Sequence, residues 1–179
     1  MPTMPPELAT ERLRLRLRDG GDAEWNLRLI AEDPSRVPLP LADERDRLDA
    51  RRAAAEDAGF GLYAIEIADT GVPVGYCGLI VGRASAEQPE LAYELLREHV
   101  GSGYATEAAA AVTDAAFSAG FPTLWATVES WNAPSFRVLD KLGFAPVRVT
   151  GENGKVLVWM RRRAPRGRHR ARGTSIASS

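Results

Sequence analysis

The residues with the clearest chemical potential lie in HVGSGYATEAAAAV, His99 through Val112, where two glycines flank a serine directly ahead of an alanine-rich helix former. A helix N-terminus leaves backbone N–H groups unpaired and carries about half a positive charge. Glycines in the approach keep side chains out of the way, so an anion can reach those groups. Gly101, Ser102, Gly103, Tyr104 and Ala105 therefore form a cradle suited to a pyrophosphate. No Gly-Lys-Ser/Thr follows, so this is not a P-loop. Thr106 stands where a dinucleotide fingerprint needs its third glycine. Other chemistries have little support. There are two histidines, His99 and His169, and one cysteine, Cys77, which argues against a Ser-His-Asp triad, a zinc site or a disulfide framework. Cys77 lies in an apolar strand and reads as core.

The elements that position this loop follow from periodicity and punctuation. ERLRLRLR alternates charge and leucine, which predicts a half-buried first strand over Leu8–Arg18. Helices are expected from Asp22 to Glu32 and from Asp43 to Ala58, the second ending at Gly59. GLYAIEIA and VGYCGLIVG form strands joined through Asp69-Thr70-Gly71, and PELAYELL is a fourth strand. A helix runs from Tyr104 to Ala119 and stops at Gly120, with Ala108, Ala111, Ala115 and Ala119 letting it lie close to the sheet. LWATVES is the fifth strand, a short helix covers Ala133–Leu142, and Asn153-Gly154 joins the last two strands, APVRVTG and KVLVWMRR. The order predicts a mixed α/β sheet with one right-handed parallel crossover.

Composition sets the outer limits. The 179 residues suffice for one domain, 45% are hydrophobic, and no run of about 18 apolar residues offers a membrane span. The lack of a signal peptide and the single cysteine point to the cytoplasm. From Arg161 to Ser179 there are seven arginines and no acidic residue; the remainder holds 16 basic against 24 acidic residues, a net of −8. Residues 162–179 are thus expected to be a basic, disordered tail, the only part suited to nucleic acid. The acidic body is expected to steer a cationic substrate.

Together with GSGYATEA, the segment ESWNAPSFRVLDKLGF resembles the GNAT acetyltransferases, and within them the RimJ/RimL branch that acetylates ribosomal-protein N-termini. That branch carries a TERLRLR-like strand, an E-I-G-Y-like strand, R-G-x-G-Y-A-T-E-A, N-x-x-S and K-L-G-F. Here these are Thr10–Arg16, Glu90–Tyr93, Val100–Ala108, Asn132–Ser135 and Lys141–Phe144. The resemblance implies a GNAT-like domain over residues 8–161. Its mostly antiparallel twisted sheet would have about seven strands, splayed between the fourth and fifth, with about four flanking helices. It implies acetyl-CoA as cosubstrate and no metal. The pyrophosphate would sit on the Gly101–Ala105 amides, the pantetheine arm against backbone near Leu95 and Arg97, and the side-chain amide of Asn132 on the pantetheine or the reacting end. The family usually has Arg or Gln at Val100; its loss removes one phosphate contact, for which Arg97 is the expected substitute.

Amide formation needs a neutral amine. A lysine-like amine is only ~0.04% neutral at pH 7, an α-amine ~10–20%. The resemblance makes Glu90 the base, acting through water. Many family members place a tyrosine seven residues after the asparagine as general acid. This chain has Leu139 there, so Ser135 is the candidate partner of the departing sulfur. Glu129 and Trp131 are expected to line the acceptor pocket. The acceptor is expected to be a protein N-terminus, or alternatively a small cationic amine such as a polyamine or aminoglycoside. A third reading is a regulatory module that binds acyl-CoA without catalysis. The protein is expected to be a monomer or homodimer.

Overall fold

The computed structural model describes residues 2–165. Eight strands form one sheet: β1 (Glu7–Ala9), β2 (Leu13–Leu17), β3 (Leu62–Ile67), β4 (Pro73–Ile80), β5 (Glu90–Leu95), β6 (Thr123–Glu129), β7 (Ala145–Glu152) and β8 (Lys155–Arg163). Their spatial order is β1-β2-β3-β4-β5-β6-β8-β7. Four α-helices accompany them: α1 (Ala23–Ala31), α2 (Leu41–Ala58), α3 (Tyr104–Ala119) and α4 (Ala133–Lys141). All strand pairs are antiparallel except β5–β6, which is the crossover expected from the order of elements.

The expected first strand is in fact two. β1 and β2 pair antiparallel with Leu8 opposite Leu15. The alternating pattern runs on through the break, but Thr10 ends the strand by taking the Leu13 N–H on its own Oγ1 at 2.9 Å. In β2 the alternation does what it predicts. Leu13, Leu15 and Leu17 are buried in the main core, while Arg14 and Arg16 stand opposite Glu66 and Ala64 of β3 on the other face. That second face carries a smaller core in which Trp25 and Leu29 of α1 pack with Ala64 and Leu96.

Helix α3 covers the leucine face. Its buried residues are Ala108, Ala109, Val112, Thr113 and Ala116, a stripe with the i, i+4, i+8 spacing of one helix face. The alanine stripe read from the sequence was therefore rotated; Ala111, Ala115 and Ala119 sit at its margin. The helix ends at Gly120 in the left-handed conformation, φ +105°.

Both domain ends read from the sequence fall inside the observed fold. Met4 is buried and donates its N–H to Gly59 at 2.8 Å. At the other end, Arg162 and Arg163 are still paired in β8, opposite Leu124 and Thr123. The rest of the expected tail, from residue 166 on, lies outside the described residues.

The feature that positions the site is the β5–β6 pair. The two strands share a single registered position, Glu90 opposite Trp125, supported by Trp125 N–H to Pro89 at 3.0 Å. Beyond it β5 continues to Leu95 with only β4 as neighbour, so the strands splay as expected. A wedge opens between them, with the N-terminus of α3 at its wide end.

Candidate active site

The glycine loop delivers the geometry its composition calls for. Gly101 and Gly103 both have positive φ, +91° and +82°, and Gly103 is the N-cap of α3. No atom lies within 4 Å of the place a Gly101 side chain would occupy. The loop opens onto a cavity of about 460 Å³ that reaches β5 and α4. Leu95, Val100, Gly101, Gly103, Ala105, Asn132 and Ser135 all line it, so the structure brings together seven of the residues singled out in the sequence. The loop amides and cavity fit an extended phosphorylated thioester. Arg137 and Lys141 of α4 also line the cavity; they were missed because nothing local marks them, and they supply the positive charge that Val100, 60% exposed, does not.

Two loop residues do not line the cavity. The Ser102 carbonyl accepts from Arg12 Nη1 at 3.1 Å, and the Tyr104 ring lies 4.8 Å under the Arg12 guanidinium. Arg97 is a correction. Its guanidinium donates to the Glu32 carbonyl, and its backbone N–H to the Glu32 carboxylate at 3.1 and 3.2 Å. It is tied to the end of α1 and does not replace the missing contact at Val100.

Glu107, in the T-E-A run, binds the loop to the start of the chain. One oxygen accepts from Thr10 Oγ1 at 2.5 Å and from the Arg12 N–H at 3.1 Å; the other accepts from Arg12 Nε at 2.7 Å. Partial burial works to raise its pKa, but the Thr10 and Arg12 hydrogen bonds outweigh it and the net shift is downward. The T-x-R of the first motif and the T-E-A of the loop motif are thus two halves of one clamp.

A second cavity, about 220 Å³, shares Tyr93, Asn132 and Ser135 with the first. Asn132 caps α4, its Oδ1 accepting from Ser135 N–H at 3.2 Å. The Tyr93 hydroxyl donates to the Ser135 carbonyl at 3.2 Å, and burial pushes its pKa up to about 12. Leu139, in the position where the family often has tyrosine, is core and closes this cavity. Glu90 lies at its far end, 3% exposed. Its carboxylate accepts from the Arg83 backbone N–H and from Thr127 Oγ1 at 2.8 Å.

The second cavity shares Tyr76, Ile80 and Ala92 with a third, about 540 Å³, lined by residues of the sheet and of α2. A fourth, about 310 Å³, shares Arg18, Arg51, Leu62 and Tyr76 with the third. The walls of these two cavities are basic. Arg18, Arg51 and Arg52 line the third cavity, and Arg36 and Arg47 join Arg18 and Arg51 in the fourth. The net charge of −8 over the body does not extend to these cavity walls, because the acidic residues lie elsewhere or are already engaged by arginines. Glu129 and Trp131 are also corrected, since neither lines any of these cavities. Glu129 accepts from Lys155 Nζ at 2.6 Å and Trp131 Nε1 at 2.7 Å, and Trp131 is 74% exposed.

The family model for the acetyltransferase (GNAT) domain matches residues 12–145. The chain is 30% identical over 145 residues to the uncharacterized protein YkkB of Bacillus subtilis, covering 76% of this chain and 84% of that one. It is 28% identical over 144 residues to the uncharacterized N-acetyltransferase p20 of Bacillus licheniformis, covering 76% and 81%. In three dimensions it is similar to RimL, the ribosomal L7/L12 α-N-protein acetyltransferase, solved with coenzyme A: the TM-score is 0.75 over 88% of this chain and 97% of that one, at 13% identity. Among the described residues no helix is long and apolar enough to cross a membrane. With three quarters of its length matched by the domain, and with the glycine loop, Tyr93, Asn132, Ser135 and Lys141 of its motifs gathered on one cavity, the chain belongs to the GNAT family of N-acetyltransferases.

Proposed function

We propose that this enzyme transfers the acetyl group of acetyl-CoA directly to a primary amine, an α-amine first of all, with donor and acceptor meeting at the splay between β5 and β6. The observation that carries the proposal is that the cavities share lining residues in series. Tyr93, Asn132 and Ser135 join the donor cleft to the middle cavity, and Tyr76, Ile80 and Ala92 join that to the acceptor side. Direct transfer also suits the one thiol. Cys77 is fully buried and burial pushes its pKa up, which leaves no thiolate to carry an acetyl group.

When bound, acetyl-CoA supplies an activated acyl carbon and a thiolate leaving group. The Gly101–Ala105 amides and the charges of Arg137 and Lys141 would hold its phosphates. The β5 backbone beyond Glu90 has no partner strand on the wedge side and would pair with the pantetheine arm. Asn132, fixed through the α4 cap, would present its amide to the reacting end. Glu90 would accept the amine proton through water, and Arg83 and Thr127 hold its carboxylate in place. Ser135 and Tyr93, whose hydroxyl donates to the Ser135 carbonyl, line both cavities and would offer their hydroxyls to the departing sulfur. A cysteine-like thiol has a pKa near ~8.5, so weak assistance suffices.

A protein N-terminus is the acceptor favoured by the RimJ/RimL resemblance. The small cationic amine is disfavoured by the arginines of the acceptor side. The test is free-thiol release from acetyl-CoA with a panel of amino acids, peptide N-termini and polyamines. Turnover of any α-amine above solvent hydrolysis supports the reading. Tight CoA binding with no turnover on any of them leaves the regulatory module.

A further inference from the structure

The acceptor side contains a guanidinium placed where a lone fold-stabilising charge has no reason to be. Arg18 is 5% exposed and lines both acceptor-side cavities. One of its N–H groups donates to Asn26 Oδ1 at 2.7 Å, and its guanidinium lies 4.7 Å over the Tyr76 ring. Asn26 in turn donates to Glu44 Oε1 at 2.6 Å, and both of those residues are buried. Glu44–Asn26–Arg18 is a buried polar chain that ends on a cation lining both cavities.

The surrounding charges do not neutralise it. Arg47 is engaged by Glu44, Arg36 by Glu94 and Asp33, and Arg52 by Asp19 and Glu56. Among the described residues no carboxylate lies within 4.0 Å of either Arg18 or Arg51. The third cavity is lined by three arginines and no acidic residue, and the only carboxylate lining the fourth is Glu44, already taken by Arg47 and Asn26. Burial, reinforced by Arg51 and Arg47 and only partly offset by Tyr76 and Asp22, brings the Arg18 pKa down to about 10. Arg51 is likewise depressed, by partial desolvation and by Arg47. A buried cation without a counter-ion costs free energy, and an arriving anion recovers it.

We infer that Arg18 and Arg51 form an anion subsite, and that the preferred acceptor is a primary amine carrying a carboxylate or phosphate on the same molecule. The inference rests on the acetyltransferase reading, because it names the acceptor of that site. The anion sits against the Arg18 fork, with Arg51 at the cavity rim. The amine points past Tyr76 and Ala92 toward Glu90 and the donor cleft. The same chemistry is offered by a small amino acid or phosphorylated amine and by a peptide with an acidic residue at its N-terminus.

The test compares acceptors that differ only in the anion: phosphoethanolamine against ethanolamine, glutamate α-amide against glutamine α-amide, and Asp-Ala-Ala amide against Asn-Ala-Ala amide. The wild type is expected to prefer the anionic member by tenfold or more in kcat/KM. Arg18→Gln, which retains a donor for Asn26, and Arg51→Gln at the exposed rim should each bring that ratio down toward one. Arg18→Lys, which keeps the charge but loses the fork, should fall between. Which pair shows the largest ratio separates a small acceptor from a peptide. Calorimetry with phosphoethanolamine on the CoA-bound protein reads the subsite without turnover, and its affinity should fall roughly 10- to 100-fold in the Gln variants. Equal use of both members of every pair, or variants that fold yet keep the wild-type ratio, overturns the subsite while leaving the transferase intact. Anion binding that the variants lose, with no amine acetylated, upholds the subsite and overturns the transferase reading.

Discussion

Gly103 offers the sharpest test of the donor cleft, because two substitutions there separate backbone strain from charge. The residue caps α3 at φ +82°, a conformation costing an L-residue about 1–2 kcal/mol. A side-chain carbon at this position stands 3.4 Å from Arg12 Nη2, close enough to touch and too far to collide hard. Gly103→Ala should therefore lose roughly 1–2 kcal/mol of stability, about 3–6 °C in Tm for a domain of this size. Gly103→Asp shares that strain and adds a negative charge at the mouth of the cleft. One charge about 5 Å from one phosphate charge costs ~3 kcal/mol at an effective dielectric near 20. Arg12 beside it offsets part of this, leaving about 1.5–2 kcal/mol, or roughly 10- to 30-fold in the CoA Kd beyond the alanine variant. Calorimetry with CoA at ~0.1 M and ~1 M salt reads the difference. The Debye length falls from ~10 to ~3 Å, so the Asp–Ala gap should close while the gap between Ala and wild type persists. If the aspartate variant binds CoA as the alanine variant does at low salt, the phosphates do not lie on this loop.

Three further outcomes follow from the same geometry. Glu90→Gln should lower kcat/KM by ~100-fold or more near neutral pH, with the loss shrinking above about pH 8, where solvent supplies neutral α-amine; a pH-independent loss would place Glu90 in binding alone. Ser135→Ala and Tyr93→Phe should each cost tenfold at most, and the double variant should lose more than either if both hydroxyls serve the departing sulfur; kcat for all three decides it. Glu107→Gln should lower Tm by about 5 °C, since it weakens charge-assisted bonds worth ~1.5–3 kcal/mol. Because the Glu107 pKa is held down in the folded state, its contribution is present above the ordinary glutamate value near ~4.3 and is lost as pH falls through the lower folded value. The wild type should therefore lose stability over that acid range, and Glu107→Gln should lack this part of the loss.

What was readable in advance was what local chemistry decides. Helix α3 starts at Tyr104 and ends before Gly120 because glycines at both ends adopt left-handed φ. The last hairpin turns at Asn153 and Gly154, both at positive φ, for the same reason. The splay could be expected only from the resemblance, since no residue of β5 or β6 announces it. The errors share a cause in long-range contacts. The alternation of ERLRLRLR continues through the break after β1, but the break is set by Thr10 and Arg12 reaching Glu107, 95 or more positions away. Arg97 lies three residues from the loop in sequence, yet Glu32 takes both its N–H and its guanidinium. Arg18 continues the alternating series of Arg14 and Arg16, and only the docking of α1 and α2 over that face turns it from a surface charge into a cavity wall.

The placement of cations at both ends of the cavity series bears on the chemistry in the middle. Phosphates at the glycine loop bring their own counter-charge requirement, met by amides and by Arg137 and Lys141. On the proposed acceptor side the arginines would act on the amine itself. A positive neighbour disfavours ammonium, so it lowers the amine's pKa. A drop of one unit raises the neutral fraction of an α-amine at pH 7 from ~10–20% to about half. An acceptor with no anion gains nothing to offset that repulsion and binds poorly. An acceptor with an anion is held by the arginines while its amine is made easier to deprotonate. Selection of the acceptor and preparation of its nucleophile then come from the same charges, and Glu90 has only the last proton to take.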